Sequence, residues 1–224
     1  RYIWQERGNY DAVFVHMNQE YVLLGFCDWL LMGKSVYLWR NHAKGTFLTD
    51  LAVLFSKKVF YTSPASYTAH FKKAVQMPVG IDTDFFKPDP SVQRKPDSIL
   101  FLGRIAPVKR VIEFVEWFNK LEPKFHATIA GEALPKDKDY AERVRSLASD
   151  RITFVGPVTQ EEARSLYQSH EIYVNMTPVG SMDKTIFEAA ACGMKLIVDN
   201  SDAKDVVTEN HSLELLMEKF KKEI

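Results

Sequence analysis

The chain has 224 residues, 46% of them hydrophobic, enough for one large packed core or two small ones. Its 29 basic residues are balanced by 29 acidic ones, so no cationic excess exists to neutralise a polynucleotide, which argues against general nucleic-acid binding. The longest apolar run, Val22–Met32, is broken by Asp28 and falls well short of the roughly 20 residues a membrane-crossing helix needs.

Strand-like and helix-like patterns alternate along the chain, which points to parallel α/β architecture. In the first part the patterns predict strands near 11–17, 35–39, 58–62 and 74–77, with helices near 20–32, 47–55 and 64–72. The stretch Gly80–Asp97 follows, polar and carrying Pro88, Pro90 and Pro96, a linker composition. The expected organisation is therefore a partial first domain over 1–80, a linker over 81–97 and a second domain over 98–224. In the second domain strands are predicted near 98–102, 125–130, 151–155, 171–175 and 195–198. Helices are predicted near 109–120, 137–148, 159–168, 184–192 and 212–223. Val108, Val111, Ile112 and Val115 recur at helical spacing. Thr159 with Glu162 forms a capping-box signature, and Gly193 is a natural helix stop. Cys27 and Cys192 each sit in an apolar helical run and read as buried thiols of a reducing compartment, not as a disulfide framework.

In a parallel sheet the strands' carboxyl ends share one edge, so the loops leaving them converge. Three of the second domain's loops open with glycine: Gly103-Arg104, Gly131-Glu132 and Gly156-Pro157. A fourth, Thr177–Asp183, contains Gly180-Ser181. Glycine lets backbone amides approach phosphate oxygens without a β carbon in the way. Arg104 and Lys109 flank a strand end and a helix start, where a fork of donors and a point charge suit a diphosphate. Glu188 is a carboxylate in the otherwise apolar run Ile186–Ala191, suited to accept sugar or ribose hydroxyls or to pair with Lys184. Asp183 reads as the N-cap of that helix and Arg110 as a surface residue. Asp82-Thr83-Asp84 imitates a divalent-metal motif but lies at the proline-flanked boundary, so we read it as capping of the linker and expect no metal.

Gly103-Arg104…Lys109, the segment Met77–Phe86 and Phe187–Gly193 (Phe-Glu-Ala-Ala-Ala-Cys-Gly) together resemble the two-Rossmann-domain glycosyltransferases of family 4, the retaining GT-B type. The resemblance covers nearly all of 75–200 and, more loosely, 10–75. It implies a fold of two Rossmann-like parallel-sheet domains, the first incomplete, the opening strands and the glycine-rich loop expected there being missing. It implies a donor site at Gly103, Arg104, Lys109, Gly180, Ser181, Lys184 and Glu188, with Arg104 and Lys109 on the diphosphate and Glu188 on the ribose. His42, after the strand Val36–Arg40, resembles the family histidine beside the transferred sugar; His16 is a weaker candidate. His70, His126, His170 and His211 read as structural or exposed. One departure stands out: the first of the family's paired glutamates falls on Gly180, and Ser181 and Lys184 are the candidates to substitute.

The resulting expectation is a retaining hexosyltransferase acting on a nucleoside diphosphate sugar, with His42, Arg104 and Lys109 as the catalytic groups and no metal cofactor. The acceptor would be a glycan or a lipid-linked hydroxyl, and the protein cytoplasmic, with room for peripheral membrane contact. The rivals are a non-catalytic nucleotide-sugar-binding fragment and a nucleotide-sugar isomerase on the same fold. A dinucleotide oxidoreductase is disfavoured, because no Gly-x-Gly-x-x-Gly follows any predicted strand.

Overall fold

The computed structural model describes residues 2–180, 182–203, 206 and 208–224. The chain divides into two compact units, Arg1–Met77 with Val179–Met182, and Pro78–Pro178 with Asp183–Ile224.

The first unit contains, in order, α1 (Tyr2–Gln5), β1 (Ala12–His16), α2 (Glu20–Leu31), β2 (Ser35–Trp39), α3 (Phe47–Phe55), β3 (Lys58–Tyr61) and β4 (Ala74–Gln76). The strands form a parallel sheet in the order β1-β2-β3-β4. On one face Val15, Leu38 and Val59 pack against Val22 and Trp29 of α2 and Ala52 and Val53 of α3. Both faces of β2 are covered, which is why Val36, Tyr37 and Leu38 are buried in succession. The helix expected over 64–72 is instead a single 3₁₀ turn, Tyr67–His70. The Thr68 hydroxyl donates to the Arg40 carbonyl at 2.8 Å and the Ser66 hydroxyl to the same carbonyl at 3.3 Å, tying this stretch to the end of β2. Such side-chain bonds compete with helix propagation. Cys27 is also a correction, being exposed on the outer side of α2, whereas Cys192 is buried and its thiol is pushed up to about 12, chiefly by burial.

The second unit contains β5 (Ser98–Leu102), α4 (Val111–Asn119), β6 (His126–Ala130), α5 (Lys138–Leu147), β7 (Ile152–Gly156), α6 (Gln160–Ser169), β8 (Ile172–Asn175), α7 (Lys184–Ala191), β9 (Lys195–Val198) and α8 (Leu213–Glu223). Its sheet is parallel with order β7-β6-β5-β8-β9. Chain order therefore runs outward from β5 through β6 to β7, then restarts on β5's other side with β8 and β9. Ile99, Phe101 and Ile129 of the sheet bury against Phe114, Val115 and Phe118 of α4 and Val144 of α5.

Helix α4 starts two residues later than its apolar spacing predicts. Pro107–Lys109 form a 3₁₀ turn and Arg110 takes a left-handed backbone (φ 53°, ψ 44°), so Val108 stays exposed while Val111 and Val115 are buried. The capping box forms as expected: the Glu162 amide donates to Thr159 Oγ1 at 3.2 Å and the Thr159 amide to Glu162 Oε2 at 2.7 Å. Residues 81–97 group with the second unit. Arg94 donates to the His170 carbonyl at 2.7 Å and the Cys192 carbonyl at 2.6 Å, satisfying acceptors just past α6 and α7. Ile81 and Phe86 are buried, so the polar stretch carries its own apolar anchors.

Phe114 is fully buried, with its ring centroid 5.0 Å from that of Phe101. Phe114→Ala should destabilise the second unit by about 3–5 kcal/mol. Thr159→Ala, which removes only an exposed cap, should cost about 1 kcal/mol. Denaturant unfolding of both variants checks the contrast.

Candidate functional site

The reversal of strand order between β5 and β8 is the place where the loops leaving two neighbouring strands part to opposite sides and open a crevice at the carboxyl edge. The β5 loop brings Gly103, Arg104, Lys109 and Arg110 to this edge; the β8 loop and the first turns of α7 bring Thr177, Asp183, Lys184 and Glu188.

The glycines serve the chain first. The Gly103 amide donates to the Ala130 carbonyl at 2.9 Å, and the Gly131 amide to the Gly156 carbonyl at 2.7 Å. A β carbon on Gly131 would lie 2.0 Å from the Gly103 carbonyl oxygen. These two amides are thus taken up in joining neighbouring strand ends.

The cations differ sharply. Arg104 is exposed, and no hydrogen bond or ion pair engages its guanidinium among the described residues. The Lys109 ammonium instead donates to Asp183 Oδ2, an ion pair with side chains only 16% and 12% exposed. Asp183 occupies the N-cap position of α7, yet its side chain does not cap the helix. Its Oδ2 also accepts from Asn175 Nδ2 at 3.1 Å and Thr177 Oγ1 at 3.2 Å. Burial alone would raise the Asp183 pKa. The Lys109 charge, with hydrogen bonds from Lys109, Asn175 and Thr185, outweighs burial and holds it below the usual carboxylate value. Arg110 donates to Asp199 at 2.6 Å and to Glu113 at 3.3 Å, so it is tied down and not a free surface charge.

Beneath these groups lies a buried polar layer that sequence patterns did not single out. The Tyr173 hydroxyl donates to Thr185 Oγ1 at 2.6 Å and accepts from Asn175 at 3.3 Å, linking β8 to the start of α7. Tyr167 of α6 donates to Glu188 Oε2 at 3.1 Å. Glu188 is only 9% exposed and is not ion-paired with Lys184, which is exposed at the first position of α7. Burial pushes the Glu188 carboxyl above its ordinary value, the Tyr167 hydrogen bond and the Lys184 charge opposing that shift only in part. Tyr173 in an apolar strand run and Tyr167 on the apolar face of a mostly polar helix look like core from sequence alone; only the fold reveals that their hydroxyls serve α7 and Glu188.

His16, His42 and Gly180 group with the first unit. His42 lies in the first unit, exposed on the loop after β2, with its pKa lowered by partial burial and by the Arg40 charge. His16 is exposed at the end of β1. Gly180 groups with the first unit, has φ +98°, and would place a β carbon 2.7 Å from that of Ala43. Ser181 lies outside the described residues. Asp82 Oδ1 accepts from the Asp84 amide at 3.2 Å and the Phe85 amide at 2.9 Å, a local turn cap as its boundary position suggested.

Residues 96–223, more than half the chain, match the family glycosyl transferases group 1. Over 131 residues the chain is 25% identical to the gpi3 subunit of phosphatidylinositol N-acetylglucosaminyltransferase of Schizosaccharomyces pombe. That match takes in 56% of this chain and 28% of the yeast protein, so the chain spans only a fraction of its curated relative. Among solved structures, a glycosyltransferase from Rickettsia africae superposes with a TM-score of 0.77 at 16% identity, covering 99% of this chain and 78% of that one. HepE of Anabaena, solved in complex with UDP-glucose, superposes at 0.74 and 16% identity, covering 98% of this chain and 70% of that one. At such identities the likeness is one of fold, and the fold is the two-sheet GT-B type. With the family match spanning the whole second unit's sheet, the chain belongs to the group 1 glycosyl transferases.

Proposed function

We propose that the second unit binds a nucleoside diphosphate sugar at the β5–β8 crevice, and that the protein transfers the sugar to an acceptor hydroxyl with retention, as a family 4 hexosyltransferase. The observation that carries this reading is the gathering of Arg104, Lys109 and Glu188 at one sheet edge where strand order reverses. Arg104 supplies an unengaged guanidinium fork to the diphosphate. Lys109 adds a second cation and lowers the cost of charge building on the leaving phosphate. Glu188, with a single hydrogen bond to its carboxylate among the described residues, has acceptor capacity left for ribose hydroxyls. The resemblance gives His42 the task of orienting the sugar. Lys184 and Ser181 remain candidates on the donor side.

The UDP-glucose complex of Anabaena HepE supports the donor class, and the name of the yeast relative supports a lipid-linked acceptor. No helix among the described residues is long and apolar enough to cross a membrane. We also propose that the donor site works without metal: cationic side chains are at hand, and the Asp82 carboxylate caps a local turn.

One observation favours a second reading. Gly180 stands where the family carries a sugar-contacting glutamate, and its left-handed backbone and the nearby Ala43 leave a larger residue strained there. A non-catalytic nucleotide-sugar-binding fragment would need no such glutamate. A thermal-shift panel of UDP, GDP, ADP and their sugar conjugates, followed by product analysis with the best binder, separates the two. Stabilisation with sugar transfer supports the transferase; stabilisation without transfer or hydrolysis supports the binding fragment; no stabilisation by any ligand sinks both.

Three outcomes follow from the residue roles. Arg104→Ala should weaken nucleoside diphosphate binding by roughly 1.5–3 kcal/mol without loss of stability, the scale of hydrogen bonds to charged groups. Titration calorimetry reads the first quantity and a melting curve the second. Lys109→Ala should lose both affinity and stability, because it strands the buried Asp183 carboxylate. Glu188→Gln should weaken ribonucleotides by about 1–3 kcal/mol and leave a 2′,3′-dideoxy analogue nearly unaffected; equal losses for both sugars would remove Glu188 from the ribose. Binding should also survive excess chelator, whereas a loss restored by manganese or magnesium would return metal to the site.

A further inference from the structure

Lys109 and Asp183 form a buried pair that crosses from the β5 loop to the start of α7. The carboxylate cannot swing away freely, since Asn175 and Thr177, themselves 3% and 2% exposed, hold the same oxygen. Lys109 therefore meets an entering anion with its charge already shared with Asp183, whereas no hydrogen bond or ion pair engages the Arg104 guanidinium among the described residues. An anion entering here meets Arg104, the shared ammonium of Lys109, and the fixed charge of Asp183 behind it.

Resting on the donor reading above, we propose that Asp183 is a charge-selecting residue: it makes the site prefer a diphosphate esterified at its terminal phosphate over the free diphosphate. A nucleotide sugar carries its terminal phosphate as a diester with one charge. The free diphosphate ends in a monoester-like group that takes a second charge above about pH 6. Sugar transfer breaks the bond between the sugar's anomeric carbon and the terminal phosphate oxygen, and the bonding pair stays with that oxygen. The acceptor hydroxyl's oxygen bonds to the anomeric carbon, and its proton passes to phosphate or solvent. The product thus gains its extra charge beside an immobile carboxylate, which favours its release.

Asn175, Thr177 and Thr185 hydrogen-bond Asp183, and its charge is felt by Glu188 on α7, Tyr173 on β8 and Tyr167 on α6. The two tyrosines are held neutral well above physiological pH, chiefly by burial. Of the carboxylates, Asp183 is held ionised through the range in which the phosphate titrates, while Glu188 shifts upward but faces the ribose that both ligands share.

The test takes whichever of UDP, GDP or ADP the 224-residue chain binds best, together with its β-methyl ester, which differs by that terminal charge. Calorimetry at pH 8 should show the wild type preferring the ester. Asp183→Asn, which keeps the side chain's shape, should move the ratio of the two dissociation constants about tenfold toward the free diphosphate. Asp183→Glu should leave the ratio near wild type. A measurement on the wild type alone gives the same answer should the variant fail to fold: lowering the pH from 8 to 5.5 should tighten the free diphosphate relative to the ester. Binding of both ligands with an Asp183→Asn ratio unchanged, or moved toward the ester, overturns the inference and leaves the donor reading standing. Failure of the wild type to bind any of the three nucleotides overturns both.

Discussion

The site depends on one topological constraint: β5 has β6 on one side and β8 on the other, and the chain leaves each strand in opposite directions. Parallel pairing forces every carboxyl end onto one edge, and the reversal leaves the β5 and β8 loops without a helix packed between them. Arg104, Lys109 and Arg110 hang from the β5 loop, and Asp183 and Lys184 from the β8 loop and the start of α7. The first unit's sheet runs β1-β2-β3-β4 in simple chain order, so its described strands contain no such reversal.

The crevice is not a bare collection of charges. Its floor is a hydrogen-bonded layer in which Tyr173 braces Thr185, Asn175 braces both Tyr173 and Asp183, and Tyr167 braces Glu188. Buried polar groups left unpaired cost roughly 1–3 kcal/mol each, so this layer is a requirement of the fold as well as a support for the site. It also sets the two carboxylates apart. Asp183 is surrounded by donors and stays below its ordinary pKa, whereas Glu188 has one phenolic donor and is pushed up by burial. Arg110, in a left-handed backbone that costs a non-glycine residue about 1–2 kcal/mol, ties the start of α4 to Asp199 and offsets part of that cost with two ion pairs. The result is a loop whose cations are fixed in place, with Arg104 the one left unengaged among the described residues.

Much of this fold was legible in the residues. Alternation of apolar strands and amphipathic helices gave parallel α/β architecture, and the strands Ser35–Trp39, Ser98–Leu102 and Lys195–Val198 fall where their apolar runs end. Thr159 and Glu162 announced their own cap because a capping box is entirely local. What failed was what depends on tertiary partners. The 64–72 helix gave way to hydroxyl bonds onto the end of β2. Val108 fell out of its apparent stripe because Arg110 turns left-handed before α4. Cys27 looked buried because an apolar run does not say which face meets the core. At the site, Arg104, Lys109 and Glu188 could be placed on one edge from topology. The pairing of Lys109 with Asp183, 74 positions apart, could not, because sequence spacing carries no record of which loops meet at a strand-order reversal.

The central claim is that the β5–β8 edge is where a nucleoside diphosphate sits. Amide hydrogen exchange of the intact chain, with and without saturating UDP, GDP or ADP, tests it without altering a residue. The account predicts that the bound nucleotide slows exchange in 103–112 and 176–190 and leaves the amides of β6 and β7 unchanged. Protection centred elsewhere, or no protection from a nucleotide shown to bind, would contradict it.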